Sequence, residues 1–123
     1  MGLSFITDGT VSKLVTEWLV AEGCDVSEAG GPDVPADEVV ARALAENRII
    51  LARSEECAQK VGALGAQGPC IIMIALPEGA DGAVTDQIEE LLQLEPSPLV
   101  PGCAVILMQG VNRIVHMGPP GAG

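Results

Sequence analysis

Aromatic residues are nearly missing from this chain: Phe5 and Trp18 are the whole set in 123 residues. Any core must therefore be aliphatic, drawn from the 48% of residues that are apolar. Positive charge is almost as scarce. Lys13, Arg42, Arg48, Arg53, Lys60 and Arg113 face 17 acidic residues, for a net charge of −11. A broad basic surface for nucleic acid is excluded, because affinity for phosphate comes from Lys and Arg. Any RNA contact would use a small local patch or bound cations. His116 is the lone histidine and lies far in sequence from the acids, so Ser/His/Asp catalysis has little support.

Other absences narrow the class further. Cys24, Cys57, Cys70 and Cys103 form no CxxC pair, which argues against a structural zinc site. Cys70 and Cys103 border apolar runs and read as small core residues. No apolar run approaches the length of a membrane span. "MGLSFITDGT" has no basic segment leading into a long apolar one, so no targeting signal is expected. A soluble cytoplasmic protein, with no membrane partner, is the expectation. Gly30-Gly31-Pro32 follows a strand but does not open a helix as GxGxxG, which argues against a dinucleotide site.

What is present is alternation. "LSFIT" reads as a strand, followed by a helix through Val11, Leu14, Val15, Trp18 and Leu19, with Thr10 as its N-cap and Gly23 as its stop. "CDVSEA" is a second strand, and "ADEVVARALAEN" a helix with Val39, Val40, Ala43 and Leu44 turned inward. "RIILA" and "CIIMIAL" are apolar throughout, as in strands buried on both faces. Between them lies a short helix closed by Gly65. A fourth helix is expected over Thr85 to Leu94. "CAVILM" and "VNRIVHM", joined by "QG", read as a hairpin.

This order predicts an α/β fold. A mostly parallel sheet is sandwiched between helix layers in three layers, with right-handed crossovers and a C-terminal antiparallel hairpin. The length suits one core and not two. Residues 1–118 are expected to form a single domain and 119–123 a flexible tail.

Sites in such sheets form at the carboxyl ends of the strands. That rule selects Thr7-Asp8-Gly9 after the first strand and Arg53-Ser54-Glu55-Glu56 after the third. Asp37 and Glu38, opening the second helix, can face the same crevice. Carboxylates converging there would hold Mg²⁺ or Mn²⁺, hard ions that activate water and steady a phosphate leaving group. Each acid also has a local role. Asp8 beside Gly9 suits a strand-to-helix turn. Asp37 suits an N-cap, and Ser54, Glu55 and Glu56 suit the N-terminus of a helix.

"ITDGT", "EGCDV", "ADEVVARALAEN", "ARSEEC" and the terminal "CAVILMQGVNRIVHM" occur in the order of motifs seen in small prokaryotic PIN-like proteins. The chain resembles that group, whose short branch is set beside toxin–antitoxin ribonucleases. The resemblance runs from Leu3 to about Met117. Asp8 matches the acid of the family's Leu-Asp-Glu-Asn, while Gly9 and Thr10 replace its Glu and Asn. Asp37 and Glu38 match an acidic pair. In the family's Thr-Arg-Asp-Lys-Asp-Phe, Arg53 is kept, Ser54 replaces the first Asp and Glu56 the second.

The resemblance implies a PIN-like fold and a Mg²⁺- or Mn²⁺-dependent ribonuclease site that is partly eroded. Asp8, Asp37, Glu38 and Glu56 would be its catalytic acids, with Asp8, Glu56 and Asp37 on the metal. Arg53, Ser54 and Thr10 would line the substrate side. RNA and an antitoxin-like protein are the implied partners. The alternative is a catalytically inactive PIN-like protein acting as an interaction module. A receiver-like or flavodoxin-like signalling domain shares the alternation but lacks support from its expected lysine and paired early acids. Apolar residues on the terminal hairpin or its neighbouring helix suggest a homodimer, on exposed-edge logic.

Overall fold

The computed structural model describes residues 3–29 and 34–117. The Gly30-Gly31-Pro32 loop and the expected tail at 119–123 lie outside the described residues. Elements follow the order β1 (Ser4–Thr7), α1 (Lys13–Ala21), β2 (Asp25–Glu28), α2 (Ala36–Glu46), β3 (Ile49–Ala52), α3 (Glu55–Leu64), β4 (Ile71–Ile74), α4 (Asp81–Gln93), β5 (Cys103–Met108) and β6 (Val111–His116). A 3-10 turn at Gly65–Gln67 follows α3. No described helix is long and apolar enough to cross a membrane.

The strands form one six-stranded sheet in the order β2-β1-β3-β4-β5-β6. Strands β1 to β5 are parallel and β6 is antiparallel to β5. This is the expected three-layer arrangement. Its first five strands follow the doubly wound order in which the chain reverses direction between β1 and β3, and a crevice opens above that point.

Local chemistry sets the ends of the elements. Asn47 stops α2 in the left-handed region at φ 56°, and its N–H bonds back to the Ala43 carbonyl. Gly110, at φ 77°, makes the tight turn between β5 and β6. Three sequence expectations are corrected. Ser12, not Thr10, caps α1, because Thr10 is held by Asp8 instead. Pro35 occupies the N-cap of α2, which places Asp37 in the first turn. Helix α4 begins at Asp81 rather than Thr85, since Gly82 and Ala83 fit its first turn and Asp81 suits the positive end of its dipole.

The core is two aliphatic layers, one on each sheet face. Phe5, Leu51, Ile72, Ile74, Val105 and Leu107 meet Val15 and Leu19 of α1 and Val84, Ile88 and Leu91 of α4. On the opposite face Ile6, Ile50, Ala52 and Ile71 meet Val39, Val40 and Ala43 of α2 and Cys57 and Val61 of α3. Cys70 and Cys103 are buried as expected, while Trp18 packs at the rim of the first layer. Leu14 and Leu44, expected to face inward, are exposed.

The position of α4 corrects the expectation of uniform crossovers. Helix α1 carries the chain one way along the sheet, and α2, α3 and α4 carry it the other way. Uniform hand would put α4 beside α2 and α3, yet it packs with α1. The β4-α4-β5 crossover thus has the hand opposite to the others, an uncommon arrangement. Burial explains it. Over β4 and β5 the α1 side carries Ile72, Ile74, Cys103, Val105 and Leu107, all buried, whereas the other side carries one buried residue, Ile71, with Met73, Ala104 and Ile106 half-buried. The larger apolar surface takes the helix. The long Pro-containing link over residues 94–102 gives the chain room to reach β5 from that side.

Candidate functional site

Asp8 ends β1 at the point where the sheet order reverses. Its side chain points toward α3 and is 5% exposed. Both oxygens are occupied. Oδ1 accepts from the Thr10 N–H at 3.0 Å and from the Thr10 hydroxyl, and Oδ2 accepts from the Cys57 thiol at 3.7 Å. The Thr10 Oγ1 in turn accepts from the Arg53 N–H at 3.0 Å. A relay of hydrogen bonds therefore links the end of β3 to Asp8 at the end of β1. The Arg53 guanidinium turns away from this relay and donates to the Leu76 carbonyl, in the loop leading to α4.

Cys57 joins this constellation although no motif in the sequence singles it out. Its thiol is pushed up to about 11, first by burial and then by the nearby Asp8 carboxylate. Ser54 holds the N-cap position of α3 but makes no capping bond, and its hydroxyl lies by the Cys57 thiol. The sequence does hold a signal for it: the first inward position of the helix after β3 faces whatever ends β1 on the same side.

The acids expected to converge do not do so. Asp37 is exposed on α2 and pairs with Lys60 of α3 at 3.2 Å. Glu38 and Glu56 are exposed on the first turns of α2 and α3. Among the described residues no group of three or more His, Cys, Asp or Glu side chains could hold a metal ion. The reason is rigid-body placement. A helix first turn projects its acids along the helix periphery, and the inward position on α3 is Cys57, one residue past Glu56.

A cleft of about 310 Å³ opens over the same strand ends, lined by Gly9, Thr10, Val11, Ser12, Arg53, Glu78, Gly79 and Asp81. Thr10 and Arg53 bring one end of the hydrogen-bond relay to its surface. One wall is the start of α4, where the Asp81 Oδ1 is buried without a hydrogen-bond partner. Sequence reasoning misses Glu78 and Asp81 because "PEGADGA" reads as a loop. With hydroxyls, one guanidinium and two carboxylates, the cleft suits a polar ligand that offers a donor to Asp81. No family model, curated protein or solved structure matches the chain.

Proposed function

We propose that this chain is a PIN-like domain that has lost metal-dependent catalysis and acts by binding another macromolecule. The observation that supports this reading is the commitment of Asp8. It is the one acid at the end of β1, and both of its oxygens accept hydrogen bonds from neighbouring protein groups. A carboxylate ligating Mg²⁺ or Mn²⁺ needs lone pairs directed at the ion. Here Oδ1 accepts both bonds from Thr10 and Oδ2 faces the Cys57 thiol, in a residue only 5% exposed. Asp37 and Glu56 lie exposed on separate helices, and among the described residues they form no metal-holding group with Asp8. An antitoxin-like protein is the partner class that the resemblance implies.

One observation favours residual metal-dependent ribonuclease chemistry as a second reading. The unpartnered Asp81 Oδ1 sits beside the cleft, with Glu78 on the same rim. Those two carboxylates and the Thr10 and Ser12 hydroxyls are hard oxygen donors, and Arg53 would meet an RNA phosphate. Calorimetric titration of Mn²⁺ into the wild type, Asp8→Asn and Asp81→Asn separates the two readings. The interaction reading expects no saturable heat at millimolar metal in any of the three. Saturable binding lost in Asp81→Asn would favour the second reading. Binding lost in Asp8→Asn alone would overturn the first and restore Asp8 as a ligand.

A further inference from the structure

The two edges of the sheet are unlike. On one side β2 is four residues long, Asp25-Val26-Ser27-Glu28, with an exposed acid at each end. Short length and charge are the usual means of blocking edge-to-edge pairing. On the other side β6 is six residues long, Val111-Asn112-Arg113-Ile114-Val115-His116. It carries no acid, no proline and no lysine. Val111 is 52% exposed and Ile114 37% exposed. In a chain of net charge −11, this edge is the one along which two copies meet least repulsion.

Backbone direction defines what the edge offers. The Met117 N–H donates to the Gly102 carbonyl at 2.8 Å, so the odd-numbered residues of β6 point their peptide groups at β5. By alternation, Asn112, Ile114 and His116 point theirs outward, away from the sheet. We propose that a second copy of this chain pairs antiparallel with the first along β6, about a two-fold axis at Ile114. Ile114 then faces Ile114 of the other copy, and Asn112 faces His116. All outward peptide groups are matched, giving about six main-chain hydrogen bonds and one sheet continuous through both chains.

The side chains agree with this register. Asn112 donates to the Glu90 carboxylate of α4 at 3.3 Å, so that acid lies beside the position opposite Asn112. The imidazole of His116 from the second copy is placed opposite Asn112, on the face that carries this carboxylate. On the other face Arg113 stands opposite Val115, and no acid meets an acid. The pairing surface lies away from the cleft at the β1 and β3 ends, so the inference does not depend on what that cleft binds.

The test is sedimentation velocity on the full chain, as wild type, Ile114→Glu and Ile114→Lys. Wild type is expected to run as a dimer, more firmly as salt screens the mutual repulsion. Each variant places a like charge against itself on the axis and is expected to run as a monomer. An equimolar mixture of the two restores the dimer, because Glu then faces Lys. Hydrogen exchange on the wild type gives a check that needs no substitution. Slow amides at Asn112, Ile114 and His116 support pairing, since β5 does not protect them. A wild-type monomer at high concentration, a dimer indifferent to both substitutions, or fast exchange at those three amides would overturn the proposal.

Discussion

Replacing Asp8 by Ala tests whether its carboxylate is structural, because the two roles predict opposite signs. As a structural acceptor, Asp8 satisfies the Thr10 N–H, the Thr10 hydroxyl and, more weakly, the Cys57 thiol. A hydrogen bond to a charged group is worth about 1.5–3 kcal/mol. The thiol contact adds little, and the half-exposed Thr10 can recover part of its loss from water. The expected cost is therefore about 2–4 kcal/mol. As one of several clustered metal acids, Asp8 would instead suffer repulsion, and its removal would leave stability unchanged or raised. The general relief of negative charge from a chain at −11 works in the same direction but is small at a single position, about 0.5 kcal/mol or less. Urea unfolding can be followed by Trp18, the only tryptophan, which packs against the first core layer. With a slope of about 2 kcal/mol per molar, the midpoint should fall by about 1–2 M. Thr10→Val should lose less, and the double variant should lose less than the sum of both, since each substitution removes the same bond from the Thr10 hydroxyl to Asp8. An unchanged or higher midpoint in Asp8→Ala, measured without metal, would refute the structural role.

Three further outcomes are expected. The four cysteines are buried and unpaired, and burial pushes the Cys57 thiol up to about 11 and Cys70 to about 12, so native protein should resist a thiol reagent at pH 8 while unfolded protein reacts at all four. Because the folded state holds these protons more tightly, the stability they contribute is complete below about pH 9 and is lost as pH rises toward the folded values; urea midpoints at pH 7, 9 and 10.5 would check this, and a midpoint that rises through that window would contradict it. Asn47→Ala should cost about 1 kcal/mol and Asn47→Gly almost nothing, because φ at this position is 56°; equal losses in thermal melts would show that the side chain, not the backbone, matters there.

Much of the fold is legible in the residue pattern alone. Ile49 to Leu51 and Ile71 to Ile74 are apolar at nearly every position, and a strand with that pattern must be covered on both faces. Asn47, Gly65 and Gly110 sit where helices end or the chain turns back. Strand order alone places Asp8, Thr10 and Arg53 at one end of the sheet, and they do meet there. The same rule places Asp37, Glu38 and Glu56 at that end, and they do not join the others. Strand ends are tied together by the ladder, so their neighbours can be inferred, whereas the first turn of a helix can face any direction that its packing allows.

The sequence by itself determined the alternation, the aliphatic composition of both core layers, the antiparallel hairpin and the carboxyl-end position of Asp8. Each of these follows from short-range periodicity or turn chemistry, which a local stretch of chain contains in full. Only the tertiary structure decided that Cys57 rather than Glu56 meets Asp8, that the Asp81 Oδ1 is left buried and unpartnered, and that α4 crosses to the α1 side. Those outcomes depend on how rigid helices settle on a sheet so as to cover the most apolar surface. That surface is assembled from residues far apart in the chain, and Ile72, Val105 and Leu107 draw α4 over only once β4 and β5 lie side by side.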